Sequence, residues 1–182
     1  MKTLKTLLSA FAIVALFATG ALAQGQASIS ATADVVTDVT LSGVQNLDFG
    51  ALTDTDADAG RTVTLSSAAT DSLGKFFMDD VSSGQDIILS LSGPTALSPS
   101  GTPTFASTPD NLPLSLTATY SETDGTPGSG TNDFSGTGND LEASVTTGAT
   151  DAYVYVGGTI GGSAGNYQGQ YSGDITLSVY YD

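Results

Sequence analysis

The chain of 182 residues contains no Cys, His or Trp, has 22 Gly, and carries 19 acidic against 4 basic side chains. Those absences exclude a disulfide framework, a thiolate nucleophile, a Cys/His zinc site and a Ser-His-Asp triad. The formal charge of −15 also excludes a nucleic-acid binder, because nothing is available to neutralise phosphate. An acidic, exported binding or structural module fits this composition better than an enzyme.

Residues 1–23 read as a secretory signal peptide. Lys2 and Lys5 form a short basic head, Leu7 to Leu16 an apolar stretch, and Ala21-Leu22-Ala23 a small-residue cleavage site that leaves Gln24 as the mature start. The apolar run is short for a membrane anchor and no basic cluster follows it, and no later stretch is apolar enough to span a bilayer. Cleavage removes two of the four basic residues. Arg61 and Lys75 then stand alone against 19 acids, a formal charge of −17. Such a surface is soluble and self-repelling, so stability has to come from packing and backbone pairing.

From Ala27 onward the dominant period is two. Ala27, Ile29, Ala31, Ala33, Val35, Val39 and Leu41 alternate with Ser28, Ser30, Thr32, Asp34, Asp38, Thr40 and Ser42, with Val36 the main exception. One edge of this stretch is therefore apolar and the other polar. Further strands are expected over 46–52, 61–67, 75–81, 85–92, 113–121, 152–160 and 170–181, the last with Tyr171, Ile175, Leu177, Val179 and Tyr181 as apolar residues. Gly, Pro, Asp and Asn punctuate them, as at Ser83-Gly84 and Asp124-Gly125. Residues 93–111 and 121–140 read as mobile loops, and no segment has a helical period. The expected organisation is a signal peptide (1–23), an alternating N-terminal segment (24–36) and an all-β sandwich domain (37–182).

Little in the chain marks chemistry. Asp54, Asp56 and Asp58 alternate as in the start of a calcium loop, since Ca²⁺ takes several hard oxygen ligands. The match then fails: Gly60 comes one residue late, and Leu65 stands where a bidentate Glu belongs. The stretch reads as a solvated acidic turn, with Ca²⁺ held by the three aspartates as the weaker alternative; no other cofactor is implied. No pair of carboxylates is marked as catalytic. The Gly157-Gly158 and Gly161-Gly162 pairs lack the Lys of a phosphate loop and read as strand-end turns. Tyr153 and Tyr155 are expected to share a face, as are Tyr171 and Tyr181, in cross-strand pairs.

The alternating run leading into Leu47-Asp48-Phe49-Gly50 resembles a secreted bacterial family known as domain of unknown function 4402. So do Tyr155-Val-Gly-Gly-Thr-Ile160 and the closing stretch Gly169-Gln-Tyr-Ser-Gly-Asp-Ile-Thr-Leu-Ser-Val-Tyr-Tyr181. The same ends are similar to spore-coat-U-like and chaperone–usher pilin subunits, in which a glycine stands fourteen places from the C-terminus and a tyrosine is penultimate. Gly169 and Tyr181 hold those places here. The absence of a Cys pair is a departure from those pilins. The resemblance implies an immunoglobulin-like β-sandwich, a periplasmic chaperone as partner, and assembly into a homopolymer or surface fibre.

In that mode of assembly a neighbour's N-terminal strand completes an open sheet. Ala27, Ile29, Ala31, Ala33 and Val35, apolar on one face of their segment, suit such a donor. The pattern equally suits the first strand of the chain's own sheet. The expectation is an exported, non-enzymatic pilin-like or coat subunit of the periplasm, cell surface or medium. The alternative is a monomeric extracellular module that binds Ca²⁺ or glycan.

Overall fold

Alternation of apolar and polar side chains over most of the chain leaves one way to bury the apolar half, which is to face two sheets against each other. The computed structural model describes residues 38–100, 110–127, 132–162 and 169–182. The signal-peptide and donor readings, 1–23 and 24–36, lie outside the described residues, as do 101–109, 128–131 and 163–168. The described residues form eleven strands: β1 (Thr40–Gln45), β2 (Arg61–Val63), β3 (Gly74–Asp79), β4 (Asp86–Ser92), β5 (Ala96–Ser100), β6 (Leu112–Ser121), β7 (Ser135–Thr137), β8 (Asp140–Thr146), β9 (Ala152–Ile160), β10 (Gln170–Ser172) and β11 (Thr176–Tyr181). The described residues form the all-β sandwich of two antiparallel sheets expected from the sequence.

The larger sheet runs β1-β3-β9-β6-β5-β10, with β2 also paired to β9; the smaller runs β11-β4-β8-β7, and every pairing is antiparallel. Their inner faces make the core. Leu114, Leu116, Ala118 and Tyr120 of β6 stand opposite Ile160, Gly158, Val156 and Val154 of β9. From the smaller sheet Ile87, Leu89 and Leu91 of β4 pair with Val145, Ala143 and Leu141 of β8 and with Tyr181, Val179 and Leu177 of β11. Each fully buried aliphatic side chain of this set contributes about 1.5–3 kcal/mol, which supports the fold without a disulfide.

Where β6 parts from β5, a side chain takes the place of a strand. Asn139 is 4% exposed. Its Oδ1 accepts from Leu116 N at 2.8 Å, and its Nδ2 donates to Leu114 O at 2.9 Å and to Pro94 O at 2.5 Å. The amide thus satisfies both kinds of backbone group on an otherwise open edge.

Several boundaries differ from the sequence reading, each for a local reason. Residues 46–52 form no strand, because Asp48 Oδ1 accepts from Gly50 N at 2.7 Å and turns the chain through Gly50 at φ +71°. The acidic stretch is a helix rather than a turn: α1 (Asp54–Ala59) is closed by a capping box between Thr53 and Asp56. Strand β5, with Pro99 facing β10, lies inside the stretch expected to be a loop over 93–111, and β7 lies inside 121–140. Strand β8 was absent from the expected strands although Leu141, Ala143 and Val145 alternate cleanly. The final run splits into β10 and β11, which belong to different sheets. Tyr171 and Tyr181 therefore do not share a face.

The glycine pairs also divide. Gly157 and Gly158 are interior to β9 rather than at its end; a Cβ on Gly157 would lie 2.5 Å from Val63 O, so the bare backbone lets β2 and its exit pass. Gly161 ends β9 at φ +91°, and a Cβ there would meet Ala57 O at 2.1 Å, where α1 docks.

Candidate functional site

The smaller sheet ends on β11, whose far side has no strand partner among the described residues. Its apolar residues, Leu177, Val179 and Tyr181, point to the core from that edge. Next to it the larger sheet is incompletely covered. Leu41 of β1 stands opposite the buried Met78 on the inner face and is still 37% exposed, and Gly43 pairs with the half-buried Phe76.

A groove of about 900 Å³ opens beside Gly43 and Phe76. Phe76, Leu112, Leu114, Val156 and Ile160 line it from the larger sheet, and residues 46–53 and 169–175 line it from the two flanking segments. The lining includes Asp48 and Asp174 and no basic side chain. Arg61, close by, donates to Ala51 O at 3.5 Å and lies against the backbone at Gly50.

Of the C-terminal residues singled out from the sequence, Gly169, Tyr171 and Ile175 line the groove, and Leu177, Val179 and Tyr181 do not. Gly169, at φ +138°, precedes β10 and lines the groove with Tyr171 and Ile175. Leu177, Val179 and Tyr181 continue along β11, and the Tyr181 hydroxyl accepts from Ser82 N at 2.9 Å, which fixes the end of the strand. The donor candidates Ala27, Ile29, Ala31, Ala33 and Val35 lie outside the described residues. The groove's other wall, 46–53, is not legible as such in the sequence, where 46–52 reads as a strand.

At α1 the Asp56 carboxylate accepts from Thr53 N at 3.0 Å and from Thr53 Oγ1 at 2.7 Å. Those hydrogen bonds, with Arg61 adding a smaller electrostatic pull, hold its pKa below the usual carboxylate range. Among the described residues no three carboxylates gather as metal ligands, and the Asp54 side chain is outside the description.

A second cluster lies on the outer face of the larger sheet. Lys75 Nζ reaches Asp124 Oδ1 at 2.9 Å and stands 5.7 Å from the centre of the Tyr153 ring. Tyr155 OH donates to the same Oδ1 at 2.8 Å and accepts from Gly125 N at 2.6 Å. The Lys75 contact, followed by the Tyr155 hydroxyl, lowers the Asp124 pKa. Burial, followed by the Asp124 carboxylate, pushes Tyr155 up to about 12. Tyr153 and Tyr155 share this face as expected, their rings 6.3 Å apart.

Fold and groove together define a class: an antiparallel β-sandwich in which, among the described residues, one edge of the smaller sheet has no strand partner and a groove of mixed polarity opens on the larger sheet. The family model described as a domain of unknown function (DUF4402) matches residues 39–181, and the chain belongs to that family, as its motifs implied. Among curated proteins none matches. Among solved structures the chain is similar to the P pilus rod subunit PapA, with 13% identity, 79% of this chain and 99% of that one covered, and a TM-score of 0.48. It is likewise similar to a chain from the structure of a chaperone–usher pilus, with 13% identity, coverage of 88% and 98%, and a TM-score of 0.46. Among the described residues no helix is long and apolar enough to cross a membrane.

Proposed function

We propose that the chain is an exported, non-enzymatic structural subunit that links to further copies by β-strand complementation. The observation that carries this reading is that the outer side of β11 has no strand partner among the described residues, together with a groove lined by Phe76, Leu112, Leu114, Val156 and Ile160. An extended segment laid along β11 satisfies the edge's open backbone groups and covers the inner face of β1 and β3 with alternate side chains. The segment 27–35 of a second copy supplies that pattern, with Ala27, Ile29, Ala31, Ala33 and Val35 toward the groove. Because donor and acceptor are different surfaces, the contact is head-to-tail and propagates into a fibre, as the pilin resemblance implies. A periplasmic chaperone would hold the same edge before assembly.

Size-exclusion chromatography with light scattering of the chain starting at Gln24, and of a form lacking 24–36, tests this. Multimers from the first and monomers from the second are expected. A truncated form that still polymerises overturns the reading, and so does a longer form that stays monomeric and loses stability on truncation, because the segment then completes its own sheet.

A further inference from the structure

We propose that the outer face of the larger sheet carries a binding site for a single neutral sugar ring. A polar cavity of about 270 Å³ is lined there by Gln45, Thr70, Asp71, Lys75, Asp124 and Tyr155. Its chemistry follows from which atoms the fold already occupies. Asp124 Oδ1 takes three donors, Lys75 Nζ at 2.9 Å, Tyr155 OH at 2.8 Å and Gly125 N at 2.8 Å. The carboxylate is thereby fixed, and its second oxygen has no hydrogen bond among the described residues. Gln45 Nε2 is anchored on Thr70 O at 2.6 Å and Leu73 O at 2.7 Å, which orients the amide and leaves its oxygen to accept. Asp71 is exposed and makes no side-chain bond to a described residue. Lys75, steadied by the Tyr153 ring, keeps N–H donors beyond the one given to Asp124.

The cavity thus offers several fixed acceptors and one cationic donor, and charge decides what fits. A metal ion or polyamine meets the Lys75 ammonium. An anion meets two carboxylates within a chain of charge −15. A neutral polyhydroxyl compound meets neither obstacle, because each hydroxyl donates to Asp71, Asp124 or Gln45 and accepts from Lys75. The volume falls below the roughly 300–1,000 Å³ typical of drug-sized pockets, so it accommodates one ring rather than a chain of them. Affinity for one ring is about millimolar.

The site goes beyond the assembly role and does not depend on it. Lys75 and Tyr155 are register partners on the outer face, whereas their chain neighbours Phe76 and Val156 line the groove on the inner one. Gln45 lines both spaces, and a strand seated in the groove leaves the cavity open on its Lys75, Asp124 and Tyr155 side. On a fibre, many weak copies of the site would act together.

The test is titration of the purified chain with methyl β-galactopyranoside, methyl β-glucopyranoside and methyl α-mannopyranoside, followed by amide chemical shifts. At least one of the three is expected to give saturable shifts at Gly125 and Lys75. The substitutions Asp71→Asn and Lys75→Met are each expected to weaken binding about tenfold or more. Asp71→Asn removes no side-chain hydrogen bond to a described residue, and an unchanged urea midpoint for the variant separates its effect on binding from unfolding. Absence of shifts with all three sugars overturns the proposal. So does an Asp71→Asn variant that titrates like the parent, or tighter binding of glucuronate or Ca²⁺ at the same amides.

Discussion

A charge placed on one face or the other of the donor segment separates strand complementation from any less specific association. Ile29 is the largest apolar residue of the alternating set, and Ser30 is its neighbour on the polar face. Ile29→Asp would put a carboxylate into a groove whose lining includes Asp48 and Asp174 and no basic side chain. It forfeits about 1.5–3 kcal/mol of apolar burial and adds several kcal/mol for an unpaired desolvated charge. The total, about 4 kcal/mol or more, weakens each subunit contact by about a thousandfold. Ser30→Asp adds the same charge to the solvent side and should change assembly little. Light scattering of the two variants at equal concentration and ionic strength gives the comparison: monomers for Ile29→Asp, multimers for Ser30→Asp. Equal assembly of both refutes the reasoning, because charge alone and not the inserted face would then control association.

Three predictions concern the sandwich itself. Asn139→Ala leaves Leu116 N–H and the Leu114 and Pro94 carbonyls without their partner; it should cost about 3–5 kcal/mol in urea unfolding, and a loss under about 1 kcal/mol would show that water replaces the amide. Gly157→Ala forces a Cβ to within 2.5 Å of Val63 O; it should displace β2 from β9, lower stability by about 1–3 kcal/mol and raise amide exchange at Thr159. Asp124 has a folded-state pKa below its unfolded one, so its contribution is present above the unfolded value and lost as pH falls through the folded one. Since Asp124 is exposed, Asp124→Asn should cost less than about 1 kcal/mol at pH 7 and nothing once the parent carboxylate is protonated, as urea curves at acidic pH will show.

The strands that periodicity found are those that bury one face over their full length. Residues 85–92, 113–121 and 152–160 return as β4, β6 and β9 with shifts of at most one residue. Periodicity fails where a side chain redirects the backbone. Asp48 turns the chain at Gly50, and Thr53 with Asp56 closes a helix too short to show a helical period. The capping box was nonetheless present as Thr-x-x-Asp. The split of 170–181 was not legible, since β10 and β11 continue one alternation while pairing with β5 and β4 in different sheets. The groove's C-terminal wall was visible through Gly169 and Tyr171. Its other wall was not, because an irregular segment that lines a cleft carries no period. The Lys75 cluster escaped notice for a different reason: Asp124 is 49 positions away from it, and only the β3–β9 register with the loop after β6 brings the two together.

Among the described residues the edge strands of the two sheets are guarded unequally, and the difference bears on the proposed assembly. Strands β7 and β10 are only three residues long, and β1 is broken by a register shift between Gly43 and Gln45. Short strands and bulges are the usual protections against pairing with another chain. Strand β11, Thr-Leu-Ser-Val-Tyr-Tyr, has six residues, no charge, no proline and unbroken register with β4. The overall charge of −15 shields it over a Debye length of about 10 Å at 0.1 M salt and does so less as salt rises. A fold that keeps its other edge strands short or breaks their register, and leaves β11 regular and uncharged among the described residues, fits the proposal that another strand covers this edge.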